Sequence, residues 1–138
     1  MFDLSKIDEN FYLLRQKFFG AFSYLSGYFF IRLYFIFLFG ANLLIWLAAY
    51  FINASVSQDL VVLHYNIDFG VDLIGSVKRI YIIPLLGLII ILVNAVLIFI
   101  FSRRQDFKFF SHLLLTASLA VNLFLLIALG SIYLINFR

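Results

Sequence analysis

The amino-acid sequence predicts an all-α integral membrane protein in which three transmembrane helices follow an N-terminal amphipathic, interfacial helix. Two observations carry that expectation. Stretches 33–52, 80–101 and 113–136 run 20, 22 and 24 residues without one Asp, Glu, Lys or Arg, and about 20 residues rising roughly 1.5 Å each cover a hydrocarbon core of about 30 Å. Hydrophobic residues make up 65% of the 138-residue chain and charged residues 12%, which leaves too little polar surface to coat a soluble globule of this size. Nineteen Phe and eight Tyr against one Pro argue against disorder. The absence of Cys removes disulfides, thiol nucleophiles and thiolate metal sites together.

The first element is the N-terminal segment 1–31. Phe11, Leu14, Phe18, Phe22, Leu25 and Phe29 recur at helical spacing, with Gln16, Gly20, Ser23 and Gly27 on the opposite side, so the segment reads as a helix with two faces. Asp3, Asp8 and Glu9 precede any apolar run, unlike the charged-then-apolar-then-small order of a cleavable signal peptide. With Arg15 and Lys17 available for anionic headgroups, the helix suits the cytoplasmic interface before it turns into the first span near Gly27. The same apolar stripe would equally serve a helix packed on another subunit.

The second unit, 32–138, holds the three spans. Lys6, Arg15, Lys17 and Arg32 precede the first span, and Arg103, Arg104 and Lys108 lie between the second and third. Basic residues collect on cytoplasmic loops, so both regions are expected inside and the C-terminus outside, against the opposing Lys78, Arg79 and Arg138. Arg15, Lys17, Arg32, Arg103, Arg104 and Lys108 become the membrane-surface residues. Trp46, Tyr50, Tyr81 and Tyr133 would then share the outer interface, the depth that suits an amphipathic ring. The ten basic residues form no dense patch, so nucleic acid is not an expected partner.

Segment 53–79 is the extracytoplasmic loop. Leu63, Tyr65, Ile67, Phe69, Val71 and Leu73 alternate with His64, Asn66, Asp68, Gly70 and Asp72, the signature of a half-buried strand that Gly70 or Gly75 can turn. Read as one strand it has no partner in the chain. Its apolar face would lie on the membrane surface, on helix ends or on another protein, and its open edge invites pairing. His64, Tyr65, Asn66, Asp68, Phe69 and Asp72 are therefore the candidate recognition residues. A metal held by His64, Asp68 and Asp72 is not expected, because residues 64 and 68 of an extended strand lie roughly 13 Å apart at about 3.3 Å per residue. The Asn53-Ala54-Ser55 triplet matches a glycosylation sequon but abuts the membrane, so it carries no weight.

Polar residues inside the spans are informative, because an amide in hydrocarbon is costly without a neighbouring partner. Asn42, Asn94 and Asn122 fall near the middle of the three spans. Once the alternating chain direction is applied, they lie within roughly 5 Å of one depth at about 1.5 Å per residue. They can form one polar layer. Ser118 and Thr116 would extend its side on the third span, and Gly40, Gly87 and Ala95 would let helices approach closely. Inter-helix packing explains such a layer; a polar route explains it too, with Pro84 interrupting regular backbone bonding. Ion or proton transport usually leaves a charged residue inside the membrane, and these spans contain none. Pro84 equally reads as a first-turn proline.

Catalysis is not expected. His64 and His112 fall on opposite sides of the bilayer, Ser111 and His112 are neighbours that face different ways on a helix, and no HExxH, GxSxG or phosphate loop occurs. The run Leu63-His64-Tyr65-Asn66-Ile67-Asp68-Phe69-Gly70-Val71-Asp72-Leu73-Ile74-Gly75, followed by Pro84-Leu85-Leu86-Gly87 and an isoleucine-rich span, resembles small uncharacterised multi-spanning membrane proteins of bacterial candidate phyla. The resemblance covers roughly residues 60–138, rests on an HYNxxFGxDLIG-like loop, implies a bacterial cytoplasmic membrane and transfers no catalytic residue. The expectation is a non-catalytic, cofactor-free component of a larger membrane assembly, in contact with lipid, other subunits or copies of itself. The alternative is a small oligomeric channel or transporter with the midplane Asn residues lining its route.

Overall fold

The computed structural model describes residues 4–56, 60–66 and 70–137. Helix α1 runs Leu4–Ser26 and α2 Phe29–Ser55. Between them Tyr28 adopts an extended backbone (φ −87°, ψ 113°), so the chain breaks and re-aims at Gly27–Tyr28. Helix α2 thus takes in Phe29, Phe30 and Ile31, which the sequence groups with the preceding unit, and also Arg32, which it places ahead of the first span. A charge-free criterion stops short of Arg32, although a cation in a first turn can reach the headgroup layer.

Two strands come next, β1 Leu60–Asn66 and β2 Gly70–Ser76, then a 3-10 turn Val77–Tyr81, α3 Ile82–Phe101 and α4 Phe107–Phe137. Pro84 falls in the first turn of α3, the part of a helix that tolerates proline and suits its fixed φ. Helices α2, α3 and α4, with α3 extended by the 3-10 turn, are long and apolar enough to cross a membrane. At 1.5 Å per residue the 27 residues of α2 and 31 of α4 reach about 40 and 46 Å. The 20 residues of α3 reach about 30 Å.

The strand expected to lack a partner is instead half of a hairpin. β1 and β2 pair antiparallel, with Leu60 opposite Ser76 and Asn66 opposite Gly70, and the register shifts between Val62 and His64 and again between His64 and Tyr65. The alternation from Leu63 to Leu73 therefore does not describe one face. Each bulge flips the facing of the residues after it. Leu63 packs on the core while Leu73 is exposed.

The core consists of two apolar clusters with polar residues between them. Ile45, Ala49, Ile52, Val61, Ile80, Leu129 and Ile132 form the cluster on the hairpin side, into which β1 drops Val61. Ile31, Leu38, Ile91, Ile98, Phe107 and Leu115 form the one beside the α3–α4 turn. Reading along α2, buried Asn42 separates Leu38 from Ile45; along α4, buried Ser118 and Asn122 separate Leu115 from Leu129. Helix α4 packs on both α2 and α3, so it carries most of the polar contacts.

Candidate functional site

Three helices deliver the polar layer. Asn42 Nδ2 donates to the Pro84 carbonyl at 2.9 Å and to Asn122 Oδ1 at 3.2 Å. Asn122 Nδ2 donates one turn back to the Ser118 carbonyl at 2.9 Å, and Asn94 Nδ2 donates to Ser118 Oγ at 2.6 Å. The amides thus form two rungs a helical turn apart on α4, rather than a single level: Asn42–Asn122 nearer the hairpin, Asn94–Ser118 nearer the α3–α4 turn. Among the described residues, no fully buried side-chain nitrogen or oxygen lacks a hydrogen-bond partner. In hydrocarbon, where water cannot substitute, that is the condition for keeping amides at midplane.

Gly87 makes the Asn42–Asn122 rung possible. A Cβ placed there would lie 2.6 Å from Asn122 Oδ1 and 2.7 Å from Asn42 Nδ2, closer than side-chain atoms approach. Gly40, expected to serve the same purpose, has nothing within 4 Å of its would-be Cβ and looks away from the bundle. Thr116 also departs from expectation. It sits two residues from Ser118, hence on another side of α4, and its Oγ1 lies 3.0 Å from Tyr34 Oη on α2.

The hairpin is tied to the bundle by Asn136, which no sequence pattern singles out. Near the end of α4, its side chain accepts from the Val62 amide at 2.9 Å and donates to the Val62 carbonyl at 2.8 Å, while also reaching the Ile132 carbonyl at 2.8 Å. One side-chain amide imitates a neighbouring strand for one residue. This occupies the β1 edge at Val62 and leaves β2 as the outer strand, with Leu73 and Ile74 exposed beside Leu60. Gly75 is buried against β1: a Cβ there would meet Leu63 Cδ1 at 2.7 Å. Of the loop recognition residues, His64, Tyr65, Asn66 and Asp72 have their backbones in the strands. Asp68 and Phe69 lie outside the described residues, as do the side chains of those four. With His64 opposite Leu73, segment 64–72 is not the single extended strand that its alternation suggests.

Most of the membrane-surface residues gather at the opposite end. Arg15 lies over the Phe19 ring (5.6 Å), Arg32 over Phe29 (5.8 Å) and Arg104 over Phe101 (5.4 Å). Arg103, Arg104 and Lys108 are exposed in and just after the α3–α4 turn, and the Lys17 side chain lies outside the described set. Tyr24 and Tyr28 share a 2.7 Å hydrogen bond and clasp Phe107 with ring centroids 5.9 and 5.3 Å away. That bond holds the Tyr24 phenol above its ordinary value near 10; partial desolvation adds to the shift and Lys108 opposes it. His112 stacks on Phe30 at 4.3 Å. At the hairpin end Trp46 stacks on Tyr81 at 5.9 Å and Phe51 lies 6.2 Å from Tyr133, so these aromatics frame the hairpin.

Comparison of the chain with protein-family models, curated proteins and solved structures finds no match. Fold and site by themselves define the class: a small helical membrane protein of three spans, preceded by a further helix and carrying a two-stranded cap.

Proposed function

We propose that the protein is a non-catalytic subunit or assembly factor of a larger complex in a bacterial cytoplasmic membrane, with the β1–β2 hairpin as its recognition element. The carrying observation is how little of each span the chain itself covers: 28% of the apolar stretch of α2 and 22% of each of the other two are buried. Exposure is spread along α2, where Ile36, Phe37, Leu43, Leu44, Leu47 and Phe51 all face outward. Such faces accept lipid, copies of the chain or other subunits through close packing. Outside the spans, Leu60 on β1 and Leu73 and Ile74 on β2 are exposed apolar residues, and β2 keeps an open edge, the geometry of strand addition.

The polar layer supports packing over transport. Asn42, Asn94 and Asn122 donate to partners inside the chain, and inter-helix hydrogen bonds of this kind contribute about 0.6 to 2 kcal/mol each. The pore reading would need those amides turned to a route.

The first helix fits an interfacial position on the cytoplasmic side. Phe11, Tyr12, Leu13 and Phe22 are exposed along α1, with Arg15 beside them. Its end packs through Leu25, together with Tyr28 just beyond it, onto the cluster beside the α3–α4 turn. Apolar rings with interspersed cations suit the headgroup boundary. With that end inside, the hairpin and the C-terminus face outward.

Purification in mild detergent, followed by intact mass determination, tests the reading. A stable hetero-complex is expected, dissolving when Leu73 and Ile74 are changed to Asp; a closed homo-oligomer that carries ion flux in liposomes would replace it with the pore. A reporter at Gln105 should score inside and one after residue 138 outside, and the reverse pattern overturns the orientation.

A further inference from the structure

The depth of the α3–α4 turn follows from the charge-free run that ends the second span. With its 3-10 extension the span is Val77–Phe101, but Lys78 and Arg79 precede its charge-free part, 80–101, whose 22 residues cover about 33 Å at 1.5 Å per residue, close to a hydrocarbon core of about 30 Å. The last residue of that run, Phe101, therefore marks the edge of the hydrocarbon, and the residues beyond it lie among phosphates. They read Ser102-Arg103-Arg104-Gln105-Asp106-Phe107-Lys108, three cations against one carboxylate. Lys108 sits in the first turn of α4, where the helix field favours an anion over a cation, and Asp106 is the one carboxylate beside the three cations.

The apolar framing is equally specific. Arg104 rests on Phe101, which stacks on Phe110 at 5.6 Å. Phe107 is buried under Tyr24 and Tyr28. The turn thus presents guanidinium and ammonium groups above a floor of rings, with two phenol oxygens at its rim. From these placements we infer that the α3–α4 turn, through Arg103, Arg104 and Lys108, seats the phosphate of an acidic phospholipid headgroup, with the acyl chains running down α3 and α4 past Phe101, Ile100 and Phe109. Ile100 and Phe109 are exposed on the surface such chains would cover. Basic pockets between spans bind acidic headgroups by this combination of charge and apolar contact. The site requires the three-span placement alone and stands apart from the subunit reading.

The test uses the full chain in a zwitterionic detergent and follows its thermal unfolding midpoint during titration with short-chain phosphatidylglycerol, short-chain phosphatidylcholine or inorganic phosphate at fixed ionic strength. Phosphatidylglycerol should stabilise with an apparent affinity on the order of tenfold tighter than phosphatidylcholine, as expected for a few basic residues at an anionic headgroup. The Arg103→Gln/Arg104→Gln/Lys108→Gln variant should lose that preference, whereas Lys78→Gln/Arg79→Gln, which removes two charges from the opposite end, should keep it. Should the triple variant fail to fold, Arg103→Gln alone should weaken the preference measurably. Retention of the preference in the triple or single variant overturns the site. So does equal loss in the Lys78/Arg79 pair, which would mean net charge, and so does equal stabilisation by inorganic phosphate, which would mean a free-anion site. Intact mass, unaffected by this titration, decides the subunit reading separately.

Discussion

At the middle of the bundle Asn42 on α2 donates to the Pro84 carbonyl at 2.9 Å, and at the hairpin end Asn136 on α4 donates to the Val62 carbonyl at 2.8 Å. The chemistry is the same, a side-chain amide reaching the backbone of a distant segment. The surroundings differ. Asn42 is buried between apolar helices, while Asn136 is half-buried beside a hairpin that water can reach. Losing a partner in hydrocarbon leaves a group that nothing replaces; losing one at the hairpin end lets water take its place. The midplane amides therefore hold the spans in register, and Asn136 decides only whether the hairpin stays docked.

Filling the gap at Gly87 should break the midplane most severely. Gly87→Leu forces both Asn42 and Asn122 away from their present positions, combining overpacking with lost hydrogen bonds, for an expected loss of about 3 kcal/mol. Denaturant unfolding from bicelles measures it, and a variant as stable as the parent would show that α3 does not approach the amides. Asn122→Leu should cost about 1 to 2 kcal/mol in the same assay. Combining it with Asn42→Leu should cost less than the sum, because each single change already removes the hydrogen bond the two amides share; strict additivity would mean that the 3.2 Å contact is not an interaction.

Asn94→Leu, at a half-buried position with one bond to Ser118, should cost about 0.6 kcal/mol and leave membrane insertion unchanged. At the hairpin end Asn136→Leu should change global stability by less still. Its signature is local: hydrogen exchange at the Val62 amide should rise while span amides stay protected. If the spans loosened together with the hairpin, the two regions would be one cooperative unit. The smallest effect belongs to pH. Tyr24 titrates above its ordinary value near 10 in the folded chain, so its contribution is complete below the ordinary value and disappears as the pH climbs through the raised folded one. Tyr28→Phe should abolish that alkaline step, visible as tyrosinate absorbance.

Much of this architecture is legible in the residues, and the exceptions have physical causes. The spans, the midplane amides, the first-turn Pro84 and the close approach at Gly87 all stem from the cost of polar groups in hydrocarbon. Gly40 misleads because α2 is apolar around most of its circumference, which weakens the periodic signal that tells an inward face from an outward one. Sequence proximity to Ser118 puts Thr116 on the wrong side of α4. The hairpin is hidden because an uninterrupted alternation runs from 63 to 73, with no Asn-Gly or Asp-Gly pair to mark a reversal. Asn136 gives no sign of its role, since an Asn at the end of a span reads as an ordinary interface residue until the strand it meets is known.

Single-cysteine labelling tests the central claim directly, because the chain contains no Cys of its own. Leu43→Cys, Leu92→Cys and Phe124→Cys place thiols on outward faces of the three spans, and Gln105→Cys and Ser76→Cys place them beyond opposite ends of α3. In sealed vesicles a membrane-impermeant maleimide should leave the three span positions unmodified and label Gln105→Cys and Ser76→Cys from opposite sides. Rapid labelling of the span positions, or labelling of both end positions from one side, would contradict a chain that crosses the bilayer three times.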